Sequence, residues 1–298
     1  MTHLTAGSIK PLAYKTESTY GTPTGTAGYY ADLAGKSGSF APTDTDTPYI
    51  AWRSGNRSYD RGDHVEQQIL AGYKAVLEVR DNANWPNILG NVLGSNTGTS
   101  ALGGVPSRTV QLATADGSTI TYNGCKTDEL RISADAPGAV ATFEETVIAK
   151  RVDYNSVAAF APTIPTAPAV QWLGPVTMGS STVYPQRLAF TVRNHSERVL
   201  GWDNATSEAN TVAIAEGRRD IELELTLWRE DLARIGEAAF SGEMSGATFR
   251  LGLNTEKLIT LSGVAYISDG NISPLIQDKQ TETIRLRANG VTVATPSP

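Results

Sequence analysis

A chain of 298 residues exceeds one ordinary domain, and 40% hydrophobic residues give it cores to bury. Its net charge of −6 and pI near 5.2 exclude a protein that grips nucleic acid, since phosphate binding draws on clustered Lys and Arg; passing contact with DNA stays open. The lone Cys125 excludes an internal disulfide, and with His3, His64 and His195 it shows no zinc-ligand spacing, so neither metal nor cofactor is expected.

Charged residues are only 19%, while 28 Gly, 15 Pro and abundant Thr and Ser supply closely spaced turns, which predicts a mainly β chain with few helices. Residues 1 to 48 are Thr-, Gly-, Ser- and Pro-rich without periodicity and read as an extended arm. The start MTHLTAGS lacks the apolar segment of a signal peptide, and no apolar run reaches the roughly 18 residues of a membrane span, so folding in cytoplasm is expected. A first domain is expected over 49 to 153. In it GYKAVLEVR alternates Tyr73, Ala75, Leu77 and Val79, a strand with one buried face. Trp85, Ile88, Leu89 and Val92 then follow helical spacing, with Pro86 in the first turn and Gly94 at the stop. Asp116-Gly117 marks a hairpin, and ATFEETVIA a long strand. Residues 154 to 186, with Pro162, Pro165 and Pro168 three apart, read as a stiff linker. A second domain over 187 to 290 and a short tail over 291 to 298 complete the chain.

The two halves look alike. YIAWRSGNRS lies on RLAFTVRNHS at an offset of 138, matching Ala51 with Ala189, Trp52 with Phe190, Asn56 with Asn194 and Ser58 with Ser196. ITYNG falls on ITLSG and TFEETVIA on TETIRLRA at an offset of 139. Between them GYKAVLEVR falls on RRDIELELTLW, with Ile221, Leu223, Leu225 and Leu227 apolar, at about 147 or 148. Leu232, Ile235 and Ala239 repeat the helical stripe before Gly242, and TFRLGL and LITLSG flank Asn254, Thr255 and Glu256 as a second hairpin. The same order of elements twice in one chain implies a divergent duplication, with drift confined to loops.

Chemistry is scarce. There is no G-x-G-x-x-G opening a helix, no phosphate loop, no H-E-x-x-H and no G-x-S-x-G, so no catalytic residue is assigned. His64 and His195 read as solvated loop residues, and Asp128-Glu129 and Glu144-Glu145 as hydrophilic strand surface. Asp44-Thr45-Asp46 lacks the later ligands of a calcium loop; Arg61-Gly62-Asp63 and the sequons at Asn56, Asn194, Asn204 and Asn271 are short enough to recur by chance. More informative is the polar side of the long strands: Glu222, Glu224 and Thr226; Thr142, Glu144 and Thr146; Thr281, Thr283, Arg285 and Arg287. Such strands bury one face and wet the other, lining a water-filled space or lying on a surface.

KTESTYGTP at 15 to 23, NGCKTDELRIS at 123 to 133 leading through Pro137-Gly138 into ATFEETVIAKRV, and the single helix after a strand resemble the tail tube proteins of long-tailed double-stranded DNA viruses. The resemblance implies tandem β-sandwich or barrel domains, each with one flanking helix, and rings of six domains joined in an inner barrel. Two domains per chain then imply a homotrimeric, pseudo-hexameric ring, stacked helically into a tube in the virion tail and assembled in the host cytoplasm. The partners implied are further copies of the chain, a tape measure protein inside the tube, and terminator and distal tail or tip proteins. DNA passes through without specific binding, and no membrane is involved. Glu78, Glu144, Glu222 and Glu224 are the expected lumen-facing residues. The arm and the loops at 54 to 72 and 194 to 219 are the expected ring-to-ring contacts. The alternative is a tandem β-sandwich surface module that binds glycans through aromatic loop tips such as Tyr29, Tyr30 or Trp202; a polysaccharide-cleaving enzyme would need converging carboxylates.

Overall fold

The computed structural model describes residues 12–22, 29–33, 39–43, 45–50, 64–94, 104–113, 119–156, 166–203, 208–228, 246–266, 271–272 and 281–295. The first half forms β1 (Leu12–Thr16), β2 (Tyr29–Leu33), β3 (Phe40–Pro42), β4 (Thr45–Ile50), β5 (His64–Leu70), β6 (Gly72–Glu78), α1 (Pro86–Leu93), β7 (Arg108–Ala113), β8 (Thr119–Ala134), β9 (Thr142–Ile148) and β10 (Arg151–Ser156). The second forms β11 (Trp172–Met178), β12 (Ser181–Val183), β13 (Arg187–Arg193), β14 (Glu197–Asp203), β15 (Glu208–Ala215), β16 (Asp220–Trp228), β17 (Ala247–Leu251) and β18 (Lys257–Ser262). It ends in β19 (Ala265–Tyr266), β20 (Asn271–Ile272), β21 (Thr281–Ala288) and β22 (Gly290–Ala294).

Strand pairing repeats between the halves. β1 pairs with β2 and β7, β7 with β8, β8 with β10, β3 with β6, β4 with β5 and β6 with β9. In the same order β11 pairs with β12 and β17, β17 with β18, β18 with β22, β13 with β16, β14 with β15 and β16 with β21. The long β8 corresponds to β18, β19 and β20 together: its later part pairs with β9 as β19 and β20 pair with β21. Lys126↔Ile148 and Ala265↔Arg287 are the same register point at the predicted offset of 139. Gly124 and Gly263, at φ 65 and 58, turn the chain at that point in both copies, a left-handed conformation that glycine adopts without strain. The ITYNG/ITLSG and TFEETVIA/TETIRLRA matches therefore hold in three dimensions.

The remaining match shifts. RLAFTVR is β13, which pairs with β16 as β3 pairs with β6, so its counterpart is Phe40–Pro42. Tyr49 and Ile50, the start of the segment matched to it, lie in β4 of a different hairpin. Tyr73 pairs with Val147 and Leu223 with Leu286, so β6 and β16 are offset by 150 (223 − 73), against 139 (286 − 147) for their partners.

Three stretches expected outside the domains contain strands. β1, β2 and β3 lie within the expected arm, β11 and β12 within the expected linker, and all of β22 but Gly290 within the expected tail. β1 is covered on both faces, with Leu12 to Lys15 buried, so no alternation marks it in the sequence. Pro168 accepts a hydrogen bond from Asp81 N at 2.7 Å, and Val170 N donates to Val79 O at 2.7 Å, which pins the described part of the linker along the end of β6.

α1 starts and stops where Pro86 and Gly94 predict: Gly94, at φ 82, donates its N–H to Gly90 O. Trp85, Ile88, Leu89 and Val92 are all buried. The second helical stripe, Leu232 to Gly242, and the Asp116-Gly117 turn fall outside the described residues.

One long sheet crosses the whole molecule because β8 pairs with β13 over Glu129 to Ala134. A five-stranded sheet, β12-β11-β17-β18-β22, packs over its second half, with Phe190 and Phe249 rings 5.5 Å apart between the layers. In the first half β8 itself bends across both layers, pairing with β7 and β10 early and with β9 and β13 late. Asp81 accepts the backbone N–H groups of Leu253, Asn254 and Thr255 in the β17–β18 turn, and Trp85 Nε1 donates to Thr255 O at 2.8 Å; these bonds fasten the first copy's helix approach to the second copy.

Candidate functional site

Six strands of the long sheet, β6-β9-β8-β13-β16-β21, run side by side with matched register. Their inward side is apolar, with Leu77, Phe143, Ile132, Phe190, Leu223 and Leu286 all buried. The outward side forms ladders across the strands. One runs Val76, Glu144, Arg131, Thr191, Glu222, Arg287; the next Glu78, Thr142, Ser133, Ala189, Glu224, Arg285; a third Lys74, Thr146, Glu129, Arg193, Asp220.

All four carboxylates singled out from sequence, Glu78, Glu144, Glu222 and Glu224, therefore share one face, although they come from both copies. The face is close to neutral. Across these ladders and the adjoining Arg187 position, where Asp135 pairs with Arg187 at 3.4 Å, seven carboxylates (Glu78, Glu129, Asp135, Glu144, Asp220, Glu222, Glu224) meet six cations (Lys74, Arg131, Arg187, Arg193, Arg285, Arg287). The face thus carries about one of the chain's six net negative charges, and the rest reside elsewhere.

The charges are paired across strands. Arg285 Nε lies 3.0 Å from Glu224 Oε2, and Arg193 sits 3.3 Å from both Glu129 and Glu222. Arg287 bonds Asp220, which also lies 2.8 Å from His195 Nε2. Burial alone would push the Asp220 carboxyl up, but the hydrogen bonds from His195 and Arg287 outweigh it and hold the group below its ordinary range. Lys74, Arg131, Glu129 and Glu144 line a shallow groove over β6, β9 and β8. Arg285 and Arg287 stand on the polar side as the sequence predicts; Lys74, Arg131, Arg187 and Arg193 are additions, although the alternation of RLAFTVR and DELRIS carries three of them as plainly as IELELTLW carries its glutamates.

Other expectations sort as follows. Glu144 is exposed as predicted, but Glu145 is not strand surface: it is buried, accepts the hydroxyls of Tyr14 (2.6 Å) and Tyr73 (2.8 Å), and pairs with Arg108 at 3.1 Å. Asn194 is also buried, bonding Val92 O and Thr127 O, which leaves its sequon no room for a glycan. His64 belongs to β5 and His195 to the turn before β14. Tyr29 and Tyr30 lie in β2, opposite Tyr14 and Ala13, and Trp202 in β14, so these aromatics are strand residues. The stretch at 54 to 72 holds β5, whose partner β4 precedes it, and the stretch at 194 to 219 holds the hairpin β14–β15, with Val199, Leu200 and Val212 exposed on it. Arg61-Gly62-Asp63 lies outside the described residues. No cluster of metal-ligating residues occurs among the described residues, and no helix among them is long and apolar enough to cross a membrane.

The sequence profile of the phage tail tube protein family matches residues 7–291. The chain belongs to this family. No curated protein matches it. As a tail tube protein it has a structural role in the virion tail, associating with copies of itself and with other tail components. The match spans both copies, so the duplicated sheet is the family's own fold region and not an appended module.

Proposed function

We propose that three chains close into a ring of six tube domains, that rings stack into the tail tube, and that the polar face of the long sheet lines the channel through which DNA leaves the virion. The domains are the two pairing units, about 12–156 and 172–294. One observation carries this reading. The two free edges of the long sheet, β3 at one end and β19 with β20 at the other, are the counterparts of β13 and β8, the strands that join the copies inside the chain.

A junction used once within the chain is thus available again at both ends. Repeating it between chains makes a head-to-tail contact, which forms a ring when the rotation closes. The edges suit a controlled contact. β3 turns Thr43 N to Gly72 O and accepts Val76 N at Ser39 O, so the backbone groups of Phe40 and Pro42 point to the open edge. Pro42 lacks a donor and both edge strands are short, two features that blunt uncontrolled pairing. By the internal equivalence, where Phe190 pairs with Ile132, Pro42 of one chain stands opposite Ile272 of the next.

The test is a double variant, Pro42→Cys with Ile272→Cys, since paired strand positions lie within disulfide reach and native Cys125 is buried. Oxidation of tubes seen by negative-stain microscopy should give a covalent ladder that stops at the trimer. Monomers only would overturn the edge pairing, and a ladder running past the trimer would overturn the stoichiometry.

A further inference from the structure

We infer that the polar face avoids holding DNA by charge compensation, with Glu222 and Glu224 masking arginines that would otherwise bind the phosphate backbone. This rests on the proposed channel wall for its place in the virion, but its chemistry belongs to the face itself. Duplex DNA binds a cationic surface because each neutralised phosphate releases counterions. An arginine already held by a carboxylate must break that pair first, and its gain is cancelled.

Neighbouring strands lie about 4.8 Å apart, well inside a Debye length of about 8 Å at physiological salt, so alternate charges average out at the distance of an approaching phosphate. Arg285 is held by Glu224, Arg193 by Glu129 and Glu222 together, and Arg287 by Asp220. A purely acidic wall would push DNA away and present a barrier to entry. A compensated wall does neither, which suits a polymer that must pass at speed in contact with the surface. The same arginines, freed, would form a basic stripe across β13 and β21.

Glu222→Gln with Glu224→Gln keeps side-chain shape, releases Arg285 and leaves Arg193 with Glu129 alone, so the face gains two net positive charges. The purified full chain carrying both changes should bind a short duplex in fluorescence anisotropy at about 50 mM salt at least tenfold more tightly than the parent. The dependence of log affinity on log salt should steepen by about two units, one for each negative charge removed. Adding Arg285→Gln to Glu224→Gln alone should return binding to the parental level, and circular dichroism checks that each variant is folded. A folded double-glutamine variant that binds no better than the parent, or a parent that already binds as tightly, would overturn the inference.

The channel reading fails separately. In assembled tubes of the Thr283→Cys variant, at a residue of the same face hydrogen-bonded to Thr226, the new thiol should react with a small maleimide and not with a bulky one. Reaction with both removes the channel and leaves charge compensation intact.

Discussion

The two copies share a pairing pattern and differ in what fills it. In the first, Glu145 is buried among Arg108, Tyr14 and Tyr73, and Tyr73 stacks on Phe40 and packs tilted against Tyr122, both at centroid distances of 5.2 Å. In the second, the register counterparts of Glu145, Tyr73, Tyr14 and Tyr122 are Ile284, Leu223, Met178 and Leu261, all buried and apolar. The strand order is therefore fixed by alternation, turns and edges, and the core chemistry is free to vary as long as every buried polar group is satisfied. Desolvating an ion pair costs about what the pairing returns, so the polar version holds no clear advantage in stability. It adds directional bonds, which allow only one arrangement of β1, β6, β7 and β9.

Removing one partner is the hardest test of this difference. Glu145→Ala leaves Arg108 buried without its counter-charge and two tyrosine hydroxyls without their shared acceptor. A loss of about 3–5 kcal/mol is expected in denaturant unfolding followed by tryptophan fluorescence. A loss below 1 kcal/mol would mean that the network is not holding the first copy together. Replacing the whole set gives a smaller effect of opposite sign. Tyr14→Met, Tyr73→Leu, Arg108→Met and Glu145→Ile together rebuild the first core in the image of the second. The expected result lies between neutral and a gain of about 1–4 kcal/mol, because no buried charge is left behind. A gain that came with loss of ring assembly would assign the network to specificity.

How much of this was legible follows the same divide. IELELTLW, ATFEETVIA and the helix at Trp85 to Val92 carry full periods, two or 3.6 residues long, and fold as read. β1, β3 and β12 are three to five residues long and sit among Thr, Gly and Pro, too short for a period to register. The RLAFTVR match failed because a few identities over ten residues weigh less than strand pairing, which places it opposite FAP. Glu145 was read as surface because alternation tells which face a residue takes, not whether that face holds a partner for it. The balanced charge of the polar face depends on cross-strand register between the copies, and register is visible only once β8 is seen to pair with β13.

The smallest expected effect separates the cores by pH. Tyr73 and Tyr14 are both held well above the ordinary tyrosine value of 10.0, first because burial disfavours the phenolate and then because Glu145 lies beside them. A raised folded value favours the protonated, folded form: its contribution is complete below the unfolded value near 10 and is lost progressively as pH rises from there through the folded value. The parent should therefore lose stability steeply above about pH 10, the unfolded chain releasing protons from Tyr14 and Tyr73, and from Tyr20 and Cys125, whose values burial also raises, that the folded chain retains. Tyr73→Phe removes one of them. Below pH 9 the variant should be less stable by about 1–2 kcal/mol, the contribution of one hydrogen bond to a charged acceptor. Above pH 10 its decline should be shallower by about 1.4 kcal/mol per pH unit, so the two curves converge. Leu223→Ile, at the register counterpart in the apolar core, should shift the curve down at every pH and leave its alkaline slope unchanged. Parallel curves for Tyr73→Phe would show that the hydroxyl titrates as freely in the folded chain as in the unfolded one, and the first core would then be less sealed than its burial implies.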